Sequence, residues 1–133
     1  MKNFKKAAAV LAAAGALVAG AAGTANAGSY NSSCESSNGG EICLYRNYEF
    51  AGGLYDTLYS KTNYDGSTYY GTSTLIDNTM SSAKNMDTVN NVGFYAGKNY
   101  TGTLEYLPAG LWLRYGDDIA SSHCFSSNAY CPI

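Results

Sequence analysis

A hexapeptide that occurs twice limits what this chain can fold into more than any other feature. Asp77-Asn78-Thr79-Met80-Ser81-Ser82 and Asp117-Asp118-Ile119-Ala120-Ser121-Ser122 share one pattern: two Asp/Asn residues, two free positions, two hydroxyl residues. An aromatic-glycine motif precedes each copy. Tyr45, Phe50 and Gly52 form the first, and Tyr95, Tyr100 and Gly102 form the second at identical spacing. The aromatic motifs start 50 residues apart and the hexapeptides 40 apart, so the chain reads as two copies of one unit, the first about ten residues longer. A repeat of this period signals a duplicated supersecondary element.

Each hexapeptide gathers oxygen donors and no nitrogen or sulfur. Such a set suits hard cations, above all Ca²⁺, and suits Zn²⁺ or Cu²⁺ poorly. Two copies predict two calcium sites.

Residues 1–27 read as a secretory signal peptide. Lys2, Lys5 and Lys6 make a basic start, an Ala/Val/Leu/Gly run follows, and Ala25-Asn26-Ala27 supplies a small-x-small cleavage site. The remainder, 28–133, is expected to be one secreted domain. All ten acids and five of the eight basic residues lie in it, a formal charge of −5. With no basic patch, nucleic acid is not an expected partner, nor is a membrane once the signal is removed. A monomer is expected.

Four cysteines in an exported chain predict two disulfides. Three pairings are possible. Cys34–Cys43 with Cys124–Cys131 is favoured, because each closes a short loop at one end of the domain and clamps a terminus.

The composition beyond residue 28 is all-β, with thirteen Tyr, many Ser and Thr, and frequent Gly and Asn. Runs 41–45, 53–59, 91–95, 103–107 and 111–115 are predicted strands between turn signals. Period-two alternation puts Leu104 and Tyr106 on one side of their strand, and Thr103, Glu105 and Leu107 on the other. It also groups Leu111, Leu113 and Tyr115 opposite Trp112 and Arg114. Residues 60–74 form an irregular polar loop with Tyr64, Tyr69 and Tyr70, a candidate recognition surface.

The duplicated aromatic-glycine spacing, followed by the D/N-D/N-x-x-S/T-S hexapeptide, resembles the Greek-key motif of microbial βγ-crystallins. The secreted setting, the small size and the start through Cys34 and Glu41-Ile42-Cys43-Leu44-Tyr45 resemble the streptomycete metalloproteinase-inhibitor family, which is built on that fold. The resemblance implies one all-β, disulfide-clamped sandwich domain of two Greek keys, about 42–84 and about 91–123. It implies that Ser82 and Ser122 hold their hairpins folded. It assigns calcium ligands to the side chains of Asp77, Asn78 and Ser81 in one copy and of Asp117, Asp118 and Ser121 in the other. Backbone carbonyls at Thr79 and Ile119 would complete the sites, with Arg46 or Ala96 as a further carbonyl from the opposite motif.

An enzyme is not expected. Nucleophilic catalysis needs a base, and the single histidine, His123, adjoins a cysteine expected in a disulfide. The acid pair Asp117-Asp118 is already absorbed by the hexapeptide. The resemblance implies a proteinaceous inhibitor of a secreted metallopeptidase, acting through residues 60–74 (Tyr64, Tyr69, Tyr70) or through 86–91, between the repeats. The alternative is a calcium-stabilised structural, cell-surface or killer-toxin-like module without inhibitory activity. No cysteine lies between Cys43 and Cys124, so a disulfide cannot brace the central loop.

Overall fold

The computed structural model describes residues 28–133; the expected signal segment 1–27 lies outside them. Strand β1 (Ile42–Asn47) runs through a tight turn, Tyr48–Phe50, into β2 (Ala51–Thr57). After an irregular stretch come β3 (Ser82–Asn85), β4 (Val92–Tyr95) and β5 (Thr103–Leu107). The short β6 (Trp112–Leu113) and β7 (Ser122–Phe125) complete the fold. Two sheets form, in the orders β2-β1-β3-β6 and β5-β4-β7, and every paired strand is antiparallel.

The halves exchange their third segments. β6 belongs to the second half but pairs with β3 of the first, Trp112 opposite Lys84. In return Lys61, from the first half, bridges His123 on β7. The Lys61 amide donates to the His123 carbonyl at 2.8 Å, and the His123 amide to the Lys61 carbonyl at 3.1 Å. Each half thus completes the other's sheet, so neither half is a finished unit alone.

The core lies between the sheets. Ile42 and Leu44 alternate inward on β1, and Val92 and Phe94 do so on β4, meeting Ile76, Met80, Ala83, Leu107 and Phe125. The outward residues Cys43, Tyr45 and Tyr95 are buried too; Phe50 and Lys84 pack on the Tyr45 ring, and Tyr100 on the Tyr95 ring. The bonds Cys34–Cys43 and Cys124–Cys131 form as expected and tie an arm to each sheet. The Asp56 carboxylate holds the first arm by accepting the Asn31 and Ser32 amides at 2.9 and 3.1 Å.

Four features of the fold depart from the sequence reading. β3 and β7 follow the hexapeptides directly; polar Ser82, Lys84, Asn85, Ser122 and His123 hide their strand character. The run 111–115 yields only Trp112–Leu113, with Leu113 alone of the expected Leu111/Leu113/Tyr115 face packed on the core. On β5, Leu107 is buried and Leu104 also packs on the core, although alternation puts them on opposite sides. The pairing shifts from Phe94–Glu105 to Tyr95–Thr103, so Leu104 sits in a bulge that turns it inward. Finally, residues 60–74 are not a tyrosine-studded surface. Tyr64 and Tyr69 are fully buried core residues, and only Tyr70 is exposed, at 45%. Two buried phenol rings stabilise the fold by about 2–3 kcal/mol each, which a surface loop would forgo.

Candidate functional site

The hexapeptides are shaped by backbone conformation first. Asn78 and Asp118, the second residue of each copy, have φ of 54° and 56°. Among residues with a side chain, Asn and Asp tolerate this left-handed region best, which explains the pattern at that position. The hairpins repeat the same geometry: Glu49, Phe50 and Gly52 match Asn99, Tyr100 and Gly102, all at positive φ. A left-handed aromatic is uncommon, and a serine holds each one. Ser82 Oγ donates to the Asn47 carbonyl at 2.6 Å and accepts the Phe50 amide at 2.9 Å. Ser122 Oγ does the same with the Gly97 carbonyl at 2.6 Å and the Tyr100 amide at 3.3 Å.

Oxygen donors converge both within a repeat and across the two. Ser81 Oγ donates to the Arg46 carbonyl at 2.8 Å and lies in hydrogen-bond contact with Asp118 Oδ1 from the other copy. Reciprocally, Ser121 Oγ meets Asn78 Oδ1 at 3.3 Å. Ser81 and Asn78 of one hexapeptide therefore meet Asp118 and Ser121 of the other. The cause is the exchanged topology, in which the Asn78 amide also donates to the Ala120 carbonyl at 3.0 Å. Asp77 Oδ2 accepts Asn78 Nδ2 at 3.2 Å, while its Oδ1 is buried with no hydrogen-bond partner. Thr79 turns its hydroxyl to the Leu75 carbonyl at 2.6 Å and to the Tyr69 hydroxyl at 3.1 Å. Asp117 and Ile119 are exposed. No three His, Cys, Asp or Glu side chains cluster as metal ligands among the described residues, so neutral oxygens dominate both groups.

His123 serves the fold. Its ring is fully buried, with Nε2–H donating to the Tyr59 carbonyl at 2.9 Å and Nδ1 accepting the Tyr64 hydroxyl at 2.9 Å. Burial pushes its pKa down to about 4, against the Tyr59 hydrogen bond and with help from the Lys61 charge. The neutral ring links β7 to two residues of the first half. Glu41 is the other buried titratable group of note. Burial raises its carboxyl to about 7, opposed by the Glu35 amide that it accepts, with the charges of Asp56 and Glu35 adding to the rise.

The loop between the repeats, 86–91, has the features of a presented segment. Val89 at its tip is 79% exposed and Thr88 beside it is exposed, while Asp87 is 6% exposed. Asp87 Oδ1 accepts the Val89 amide at 2.7 Å and the Asn90 amide at 2.8 Å, and Oδ2 accepts Asn90 Nδ2 at 2.9 Å. Asn85 braces the base. Its Oδ1 accepts the Asp87 amide at 3.1 Å, and its Nδ2 donates to the carbonyls of Asn90 and Leu107 at 2.9 and 3.1 Å. The density of Asn and Asp over 85–91 was the available sequence signal; it marks a side-chain-capped turn.

The profile described as peptidase inhibitor family I36 matches residues 27–107. The chain is similar to a structure from work on the evolution of the eye-lens βγ-crystallin domain fold, with a TM-score of 0.56, 13% identity, and 77% of this chain and 91% of that one covered. A βγ-crystallin from Ciona intestinalis gives a TM-score of 0.52 at 17% identity, covering 65% and 100%. A βγ-crystallin domain from Clostridium beijerinckii gives 0.51 at 18%, covering 66% and 98%. At these identities the likeness establishes the fold, a βγ-crystallin sandwich. No curated protein matches the chain.

Proposed function

This chain belongs to peptidase inhibitor family I36, and on that basis we propose that it is a secreted inhibitor of a metallopeptidase that blocks its target with the loop 86–91. The observation that carries this reading is the pairing of exposure with restraint in that loop. A peptidase binds a segment tightly when the segment loses little freedom on docking. Val89 stands out from a turn whose amides are already engaged by Asp87. The other candidate segment, 60–74, has two of its three tyrosines in the core and cannot offer them to a partner. The metallopeptidase class rests on the resemblance of the start of the domain, Cys34 through Tyr45, to the streptomycete inhibitors.

Calcium is proposed as a staple of this scaffold. Ser81, Asp118 and the Arg46 carbonyl would hold one ion; Ser121 and Asn78 belong to the second group, and the unpartnered Asp77 Oδ1 is the oxygen that a cation would satisfy. Bound there, calcium supplies charge neutralisation and a cross-link between the halves. With a single carboxylate in the first group, affinity is expected in the weak range of extracellular modules.

The test is a titration of a thermolysin-type metallopeptidase with the 28–133 protein at fixed, saturating calcium. Loss of activity reaching completion near one-to-one is expected. Val89→Asp should abolish it while leaving the melting temperature unchanged, since the side chain is exposed. Full peptidase activity in a large excess of the wild-type protein would remove this enzyme class as the target.

A further inference from the structure

We propose that the Asp87 carboxylate clamps the loop 86–91 by holding both sides of its tip, doing without a covalent bond what a disulfide would do. The proposal rests on the reading of this loop as the inhibitory segment and adds the residue that positions it. The chain has no cysteine between Cys43 and Cys124, so the restraint must come from elsewhere.

The geometry supplies it. Asp87 precedes the tip and is itself anchored on two sides: its amide donates to Asn85 Oδ1 at 3.1 Å and its carbonyl accepts the Gly110 amide at 2.9 Å. Its carboxylate then reaches over Thr88 to the far side, taking the amides of Val89 and Asn90 and the Asn90 side chain at 2.7 to 2.9 Å. Beyond the tip, Asn91 Oδ1 accepts the Ala109 amide at 3.0 Å, and the Asn91 amide donates to Ser126 Oγ at 3.1 Å. The Thr88–Val89 peptide bond is therefore spanned by one buried side chain.

This arrangement has a consequence for a cut loop. Hydrolysis of the Thr88–Val89 bond consumes one water and leaves a carboxylate on Thr88 and an ammonium on Val89. That ammonium arises 2.7 Å from Asp87 Oδ1, where the neutral amide had been. The Asp87 carboxylate then faces a charged donor in place of a neutral one, an ion pair with charge on both partners, so the new ends stay together and the same bond can re-form with release of water.

The experiment compares the wild-type protein with Asp87→Asn and Asp87→Ala against a thermolysin-type metallopeptidase. Inhibition constants and loop cleavage, the latter by mass spectrometry, are the two readouts. Asn keeps one acceptor oxygen, so its inhibition constant should rise roughly tenfold, and that of Ala roughly a hundredfold or more. The Ala variant should also become a substrate cut within 87–91 while the wild type persists. An Ala variant that inhibits as tightly as wild type and stays uncut would overturn the clamp. A wild type that inhibits nothing would sink the inhibitor reading instead. Hydrogen exchange in the free wild-type protein then judges the clamp by itself, and it serves equally if the variants fail to fold. Protected Val89 and Asn90 amides support the clamp, and exchange at unstructured rates refutes it.

Discussion

His123 makes acid stability a quantitative test of how the two halves are joined. Its imidazole has an ordinary pKa of 6.5 and one of about 4 in the fold, because burial disfavours the charged ring. The folded pKa is lowered, so the contribution to stability is complete above pH 6.5. It is lost as the pH falls from 6.5 to 4, where the unfolded chain takes up a proton that the folded chain refuses. The slope is about 1.4 kcal/mol per pH unit, and the total is about 3 kcal/mol. That is a large share of the roughly 5–15 kcal/mol holding a domain together. His123→Gln is the informative perturbation. Its carboxamide can accept from the Tyr64 hydroxyl and donate to the Tyr59 carbonyl, the roles the ring performs, but it does not titrate. Urea unfolding of both proteins at pH 7, 5.5 and 4 isolates the effect, since other groups cancel in the difference. The wild type should lose about 3 kcal/mol relative to the variant between pH 7 and pH 4. Parallel pH profiles, or an imidazole NMR titration in the folded protein near 6.5, would refute the reasoning.

Glu41 should act in the opposite sense. Its raised carboxyl contributes stability that is full below pH 4.5 and lost as the pH rises to about 7, so Glu41→Gln should gain on the wild type across that window in the same unfolding assay. Calcium should raise the melting temperature, and Asp118→Ala should remove more of the rise than Asp117→Ala, because only Asp118 meets Ser81; equal losses would count against the cross-repeat site. Reduction of either disulfide, which close loops of 9 and 7 residues, should cost about 2.5 kcal/mol by loop closure, and an unchanged melt under reductant would contradict this.

Wherever the backbone itself imposes a requirement, the one-dimensional pattern carries it. Gly52 and Gly102, and the Asp/Asn at positions 78 and 118, sit in left-handed conformations that few residues accept, so their recurrence reveals the duplicated unit before any contact is known. Ser82 and Ser122 recur for a related reason, since each satisfies a hairpin amide within its own repeat. The cysteines pair over short spans, and their pairing follows from proximity along the chain.

Long-range choices left no comparable trace. That β6 joins the sheet of the other half is settled by two residues of pairing, too few for any periodicity to register. Once that exchange is made, Ser81 faces Asp118 and not Asp77, so the grouping of oxygen donors is a product of topology rather than of adjacency in sequence. Tyr64 and Tyr69 lie among Asn, Asp, Gly, Ser and Thr and look exposed, yet the gap between two facing sheets draws them in because burying a ring outweighs leaving it in water. Asp87 is the sharpest case. The Asn and Asp density of 85–91 signals a capped turn, but only the fold of that segment around the Asp87 carboxylate makes this acid the brace beneath Val89. Conformational demands of single residues were thus determined by the sequence directly, while every feature that depends on which distant surface a residue meets was decided by the tertiary structure, because burial and pairing are properties of the assembled sheets.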